Sequence, residues 1–124
     1  PENKCYTCHP KGTVKNHIIS STDFLSFHHD MWKRSLIIVT PNKHYQHIND
    51  FKAEEISDMF LQVSKFCEDW NLRDYQICFN SGKWQTHSHF HLKIKINDKI
   101  ANRMRRDHFQ KIKLEQNYTN VPSR

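Results

Sequence analysis

The stretch H-S-H-F-H-L-K-I-K-I, residues 87–96, alternates two chemistries. Successive side chains of an extended chain point to opposite faces, so His87, His89, His91, Lys93 and Lys95 share one face and Ser88, Phe90, Leu92, Ile94 and Ile96 the other. The alternation predicts a strand over 87–96 with one wall in the core and the other wet, the wet wall carrying imidazoles about 7 Å apart. An imidazole acts as nucleophile, proton carrier or metal ligand, and three on one rigid element divide those tasks without loop entropy.

Working back towards the N-terminus, D-Y-Q-I-C-F-N (74–80) sets Tyr75, Ile77 and Phe79 against polar neighbours, which predicts a half-buried strand closed by the turn signal Asn80-Ser81-Gly82. Before it, Ile56, Met59, Phe60, Val63, Phe66, Cys67 and Trp70 recur at helical spacing. This continuous apolar stripe predicts a helix over about 51–70, capped by Asn49 or Asp50, with Glu54 and Glu55 complementing the positive end of its dipole. R-S-L-I-I-V-T-P (34–41) is too short for a helix and rich in β-branched residues, and is read as a central strand. T-V-K-N-H-I-I-S (13–20) and F-L-S-F (24–27) are read as two further strands, with His28-His29-Asp30 as a turn. Past Asp98, I-A-N-R-M-R-R-D-H-F-Q-K-I-K reads as a second, basic helix capped by Asn97 or Asp98, and residues 115–124 as a frayed, flexible tail.

The 124 residues suit one domain running 1–124, with no repeat or linker to divide it. Nineteen Lys and Arg against thirteen Asp and Glu leave +6 with His neutral, which favours anionic partners. No run of 18 apolar residues occurs and the start P-E-N-K-C-Y-T-C-H-P has no apolar segment, so no membrane partner and no secretory signal are expected. Of the four cysteines, Cys5 and Cys8 form a C-x-x-C pair, while Cys67 and Cys78 sit in apolar patterns as small buried residues. That usage suits an intracellular, reducing compartment, cytoplasm or nucleus.

H-S-H-F-H-L-K-I resembles the His-x-His-x-His signature of the histidine triad superfamily of nucleotide hydrolases and transferases. T-P-N-K-H (40–44), closing an apolar strand ahead of the amphipathic helix, is similar to the family's strand, P-K-x-H and helix passage, and N-S-G (80–82) to its Asn-x-Gly turn. The C-x-x-C matches the zinc-bearing branch, and the short K-W-Q-T segment before the histidines resembles the aprataxin-like branch. The resemblance implies an α+β fold, an antiparallel sheet of about five strands with one long helix on one face, the histidines on the other and a C-terminal basic helix. Family members often dimerise, so a homodimer is compatible.

For activity, the resemblance implies hydrolysis of the bond between a nucleoside monophosphate, purine in preference, and its leaving group. His89 would be the nucleophile, forming a covalent nucleotidyl-imidazole. His91 would bond a non-bridging oxygen, Asn80 and Thr86 would complete the phosphate cradle, and Asp30 or His28 would stand for the ribose-binding acid. A structural Zn2+ would be held by Cys5, Cys8, His44 and His87, with His9, His17, His28 and His29 as rival ligands. Trp84 walls the pocket or simply packs. Two alternatives accompany this reading: a non-catalytic nucleotide-binding interaction module, and an aprataxin-like deadenylase acting on nucleic acid ends, the latter consistent with the basic helix.

Overall fold

A computed structural model describes residues 5–119 of the chain. Its elements, in order, are α1 (Gly12–Asn16), β1 (Ile18–Ser21), β2 (Leu25–His29), β3 (Leu36–Pro41), α2 (Ala53–Asp69), β4 (Gln76–Phe79), β5 (Leu92–Lys95) and α3 (Asp98–Thr119). The five strands form one antiparallel sheet in the order β1-β2-β3-β5-β4. The fold class is therefore the α+β, five-stranded arrangement expected, with the apolar run 36–41 at its centre and buried at every position.

α2 forms where the apolar stripe lies. Met59, Val63, Phe66 and Cys67 are buried against the sheet, and the Phe66 ring stacks on Phe27 of β2 at 4.4 Å. Its start differs from expectation. Asp50 closes a short 3-10 turn, accepting from the Gln46 and His47 amides at 3.0 Å, and the helix begins after Lys52, whose amide donates to Glu55 Oε1 at 2.9 Å. Phe60 and Trp70 remain 41% and 44% exposed at the edges of the stripe. Facing α2, Phe90, Leu92, Ile94 and Ile96 are all buried, so the alternation read from the sequence sets the core wall of β5. Phe66→Ala is expected to lower unfolding free energy by about 3–5 kcal/mol, because it removes a stacked ring from a closed core; a shift in denaturant midpoint equivalent to under 1 kcal/mol would contradict this packing.

Four sequence expectations are corrected. Residues 12–16 form a helical turn, opened by Gly12 at φ +51, and the strand starts only at Ile18. His28 and His29 belong to β2, whose extension is fixed by pairing with Ile38 and Ile37; the turn to β3 lies at 30–35. The ladder of β5 spans only Leu92–Lys95, so His87, His89 and His91 precede the paired strand. α3 continues through 115–119, where a frayed tail was expected, and residues 120–124 lie outside the described part. Among the described residues no helix is long and apolar enough to cross a membrane.

α3 is anchored at both ends of its first half. Ala101 and Met104 join the core, Arg105 Nη1 donates to the Arg34 carbonyl at 2.7 Å, and the His108 ring bonds the Asn16 carbonyl at 2.7 Å. His29, only 1% exposed, packs between β2 and this helix with its ring 5.0 Å from that of His108. Burial, with the His108, Arg105 and His17 charges adding to it, pushes its pKa down to about 3. A folded-state pKa below the unfolded value of about 6.5 gives stability that is complete above that value and lost as pH falls towards 3. Acidifying below about pH 6 is thus expected to destabilise by up to about 1.4 kcal/mol per unit through His29. Denaturation of wild type and His29→Gln at pH 7 and 5 checks this; equal pH slopes would exclude His29.

Candidate functional site

The wet face of the sheet forms an open cleft of about 180 Å³. Its floor is Ser26 and His28 from β2, Ile38 and Thr40 from β3, and His91 and Lys93 beside and on β5. The N-terminal segment folds over one side through Tyr6, Thr7, Pro10 and Val14, and the β2–β3 loop closes the far end through Met31, Trp32 and Arg34. Three residues expected at a nucleotide site, Thr86, His91 and Asp30, line this cleft with His87 and His28. Asn80 is exposed and outside the cleft lining, and Trp84 is 71% exposed with the Lys83 ammonium 5.8 Å above its ring.

Beneath the N-terminal segment, four side chains converge: Cys5, Cys8, His44 and His89, whose donor atoms all lie within 4.8 Å of one another. His89 Nδ1 is 3.5 Å from Cys5 Sγ, 3.3 Å from Cys8 Sγ and 3.2 Å from His44 Nδ1, and Cys8 Sγ is 3.1 Å from His44 Nδ1. The protonation pattern follows from the neighbours. A carbonyl only accepts, so the 2.7 Å contact between His89 Nε2 and the Pro41 oxygen places the ring proton on Nε2 and leaves a lone pair on Nδ1. That lone pair faces two sulfurs and another imidazole, while the ring is fully buried and its pKa pushed down to about 4, chiefly by burial.

Such a set suits a tetrahedral metal. Zinc bonds of about 2.0–2.3 Å to nitrogen and sulfur put donors about 3.3–3.8 Å apart, close to the observed edges, and the Pro41 carbonyl is the outer partner that ligating histidines commonly have. The four residues could hold a metal ion, and they differ in one member from the set expected. His87 is not among them: its Nε2 lies 3.0 Å from Thr7 Oγ1 and its ring stacks on Tyr6 at 4.6 Å. The physical reason is depth. His87 and His91 line the cleft, whereas His89 is fully buried beneath the 5–8 turn and reaches both sulfurs. The rival ligands His9, His17, His28 and His29 also lie outside the cluster.

The same depth changes the expected chemistry of His89. With Nε2 bonded to Pro41 and Nδ1 directed into the cluster, neither nitrogen of this ring is presented to the cleft. His91 has the opposite arrangement. Its Nδ1 lies 3.3 Å from the His89 carbonyl, which requires the proton on Nδ1 and leaves the Nε2 lone pair uncommitted. Burial holds its pKa below the usual histidine range, opposed by that hydrogen bond and helped by the Lys93 and Arg34 charges, so the ring is neutral at physiological pH.

Asp30 lines the cleft with its carboxylate already engaged. It is 3% exposed, with Oδ2 accepting from the Trp32 amide, the Arg34 amide and Arg34 Nε, and Oδ1 from Arg34 Nη2 at 2.8 Å. Burial alone would raise its pKa, and the Arg34 and Trp32 hydrogen bonds overcome this and lower it. A carboxylate so occupied organises the β2–β3 loop and has little capacity left for a ribose. Arg34, Thr40 and Ser26 also line the cleft without having been expected there, and Lys93 joins them from the histidine face. An Asp and Arg four apart, and a Lys on the histidine face, were the available signals.

No protein-family model matches the sequence, and no curated protein matches it. Solved structures do resemble it. A HIT family hydrolase from Legionella pneumophila Philadelphia 1 aligns over 74% of this chain and 91% of its own, at 20% identity and a TM-score of 0.65. A histidine triad protein from Clostridium difficile aligns over 75% and 90%, at 20% identity and 0.64. The diadenosine triphosphate hydrolase of Plasmodium falciparum aligns over 72% and 71%, at 22% identity and 0.58. At these identities the likeness concerns the backbone fold alone. The chain has the fold of the histidine triad proteins.

Proposed function

We propose that this protein is a nucleotide hydrolase of the histidine triad type in which His91 is the nucleophile and His89 a ligand of a structural zinc ion. The observation that carries the reading is the pair of opposed tautomers: the Pro41 carbonyl turns the lone pair of His89 inward, and the His89 carbonyl leaves that of His91 at Nε2. The solved structures of similar fold include a diadenosine triphosphate hydrolase, which supports a nucleotide conjugate as substrate.

In this mechanism the α-phosphate of a nucleoside monophosphate conjugate sits over His91, Thr40, Ser26 and Thr86. His91 Nε2 attacks phosphorus, a P–N bond forms and the bond to the leaving group breaks. The leaving group departs with the electron pair and takes a proton from the Lys93 ammonium, which follows His91 on the same face. Water then attacks phosphorus, the P–N bond breaks, and Lys93 recovers the water's proton as the nucleoside monophosphate is released. Splitting the displacement into two steps is what the imidazole contributes. Cys5, Cys8, His44 and His89 would hold zinc with no open position, so that the metal supplies only rigidity, fixing the N-terminal turn and, through His89, the carbonyl that orients His91.

The test is to quench a reaction with a radiolabelled adenosine phosphoramidate under alkaline conditions and map the adduct by mass spectrometry. A nucleotidyl group on His91, absent in His91→Ala, is the expected result. A label on His89 would overturn the assignment, and bound nucleotide with no adduct in wild type would favour a non-catalytic binding module.

A further inference from the structure

The far end of the cleft is built with more care than a surface loop requires. Asp30, the only carboxylate lining the cleft among the described residues, is buried and spent on four hydrogen bonds within residues 30–34. Lys33 takes a left-handed conformation at φ 61 to let the loop close, and Arg105 of α3 ties down the Arg34 carbonyl. This clamped loop nevertheless leaves Trp32 80% exposed and the Arg34 side chain 56% exposed at the cleft mouth. Nε and Nη2 of Arg34 grip Asp30, while Nη1 makes no hydrogen bond among the described residues.

The sheet register gives the loop its direction from the reactive ring. Lys93 pairs with Ile38 and Lys95 with Leu36, so moving from His91 through Lys93 runs down β3 towards residues 30–35. The cleft thus has one cationic group at Lys93, next to His91, and another at Arg34, beyond it, with an indole beside the second. A guanidinium held rigid with one edge turned to a ligand suits a phosphate, and an exposed indole suits the face of a base. A nucleoside 5′-monophosphate supplies one anion and one ring, which leaves the Arg34 end unmatched.

We propose that Trp32 and Arg34, organised by Asp30, form a second subsite, and that the nucleotide recognised here carries a further phosphate on its ribose, as in a nucleoside 3′,5′-bisphosphate or the linked residue of a nucleic acid strand. This deepens the nucleotide reading above and rests on it. The base stacks on Trp32 and the ribose phosphate takes the outer edge of Arg34.

Titration calorimetry of metal-saturated protein with AMP, adenosine 3′,5′-bisphosphate and the 5′-phosphorylated dinucleotide pApA tests it. The bisphosphate is expected to bind about tenfold or more tightly than AMP, one charge-assisted contact being worth that ratio. Arg34→Gln is expected to erase the preference while AMP affinity stays within about twofold. Trp32→Ala, which leaves the Asp30–Arg34 pair intact, is expected to weaken AMP and bisphosphate together by about tenfold. If pApA matches the bisphosphate, a nucleic acid strand is the source; if it binds like AMP, a terminal phosphate is required. Equal binding of all three, with the His91 adduct still forming, overturns this inference and leaves the hydrolase reading standing. Failure of every nucleotide to bind overturns both. Loss of AMP and bisphosphate affinity to the same degree in Arg34→Gln, at unchanged melting temperature, also overturns the second subsite.

Discussion

Cys8→Ser, or exhaustive chelation of the wild type, is expected to lower the melting temperature by roughly 10–20 °C and to release about one zinc per chain. The magnitude follows from linkage. A metal that binds only the folded chain at a thousandfold excess over its dissociation constant adds about 4 kcal/mol, and 1 kcal/mol corresponds to a few degrees in a domain of this size. Serine keeps the volume but offers a weakly coordinating hydroxyl. What remains is a lone pair on the buried His89 ring facing a site that no longer holds a cation, with Cys5 buried beside it. The effect should be local in structure as well as large in energy. The 5–8 turn, including the His9 amide bond to the Cys5 carbonyl, loses its attachment to the sheet, and the amides of residues 5–17 should exchange faster than those of β3. A metal-free wild type with an unchanged melting temperature would rule out the centre.

The same centre shows where sequence reasoning reaches and where it stops. The stripe from Ile56 to Trp70 and the alternation from Phe90 to Ile96 depend only on the pitch of a helix and of a strand. They give the helix, its packing face, the core wall of β5 and thereby the fold class. Pitch says which face a histidine occupies. It says nothing of how deeply the ring sits. Strand pitch assigns His87, His89 and His91 to one face, and the choice among them is made by a segment some eighty residues away, whose two sulfurs reach His89 while its Tyr6 and Thr7 meet His87. His28-His29-Asp30 failed as a turn for a related reason. Strand pairing with Ile37 and Ile38 carries β2 through both histidines, and the chain turns only where Asp30 can gather the Trp32 and Arg34 amides. C-x-x-C spacing identified two sulfur donors correctly placed in the cluster, because two cysteines three apart converge through their own local turn.

His89→Cys separates the two roles that the sequence placed on one residue. Thiolate replaces imidazole in tetrahedral zinc sites, so the variant offers a Cys3His set and is expected to keep metal and fold. Its main-chain carbonyl, which orients His91, is unaffected by the substitution. If His91 carries the nucleotidyl group, single-turnover hydrolysis of an adenosine phosphoramidate should stay within about tenfold of wild type in His89→Cys. In His91→Ala it should fall by about 10⁴-fold or more, as when a covalent nucleophile is deleted, with AMP affinity changed only a few-fold. His91→Ala should also retain the metal and the melting temperature, since its ring lines the cleft and takes no part in the cluster. The reverse pattern, a metal-replete His89→Cys without activity and an active His91→Ala, would return the nucleophile to position 89 and require the central ring to leave the Pro41 carbonyl during turnover. Elemental analysis of each variant alongside the kinetics ensures that a lost centre is not mistaken for a lost nucleophile.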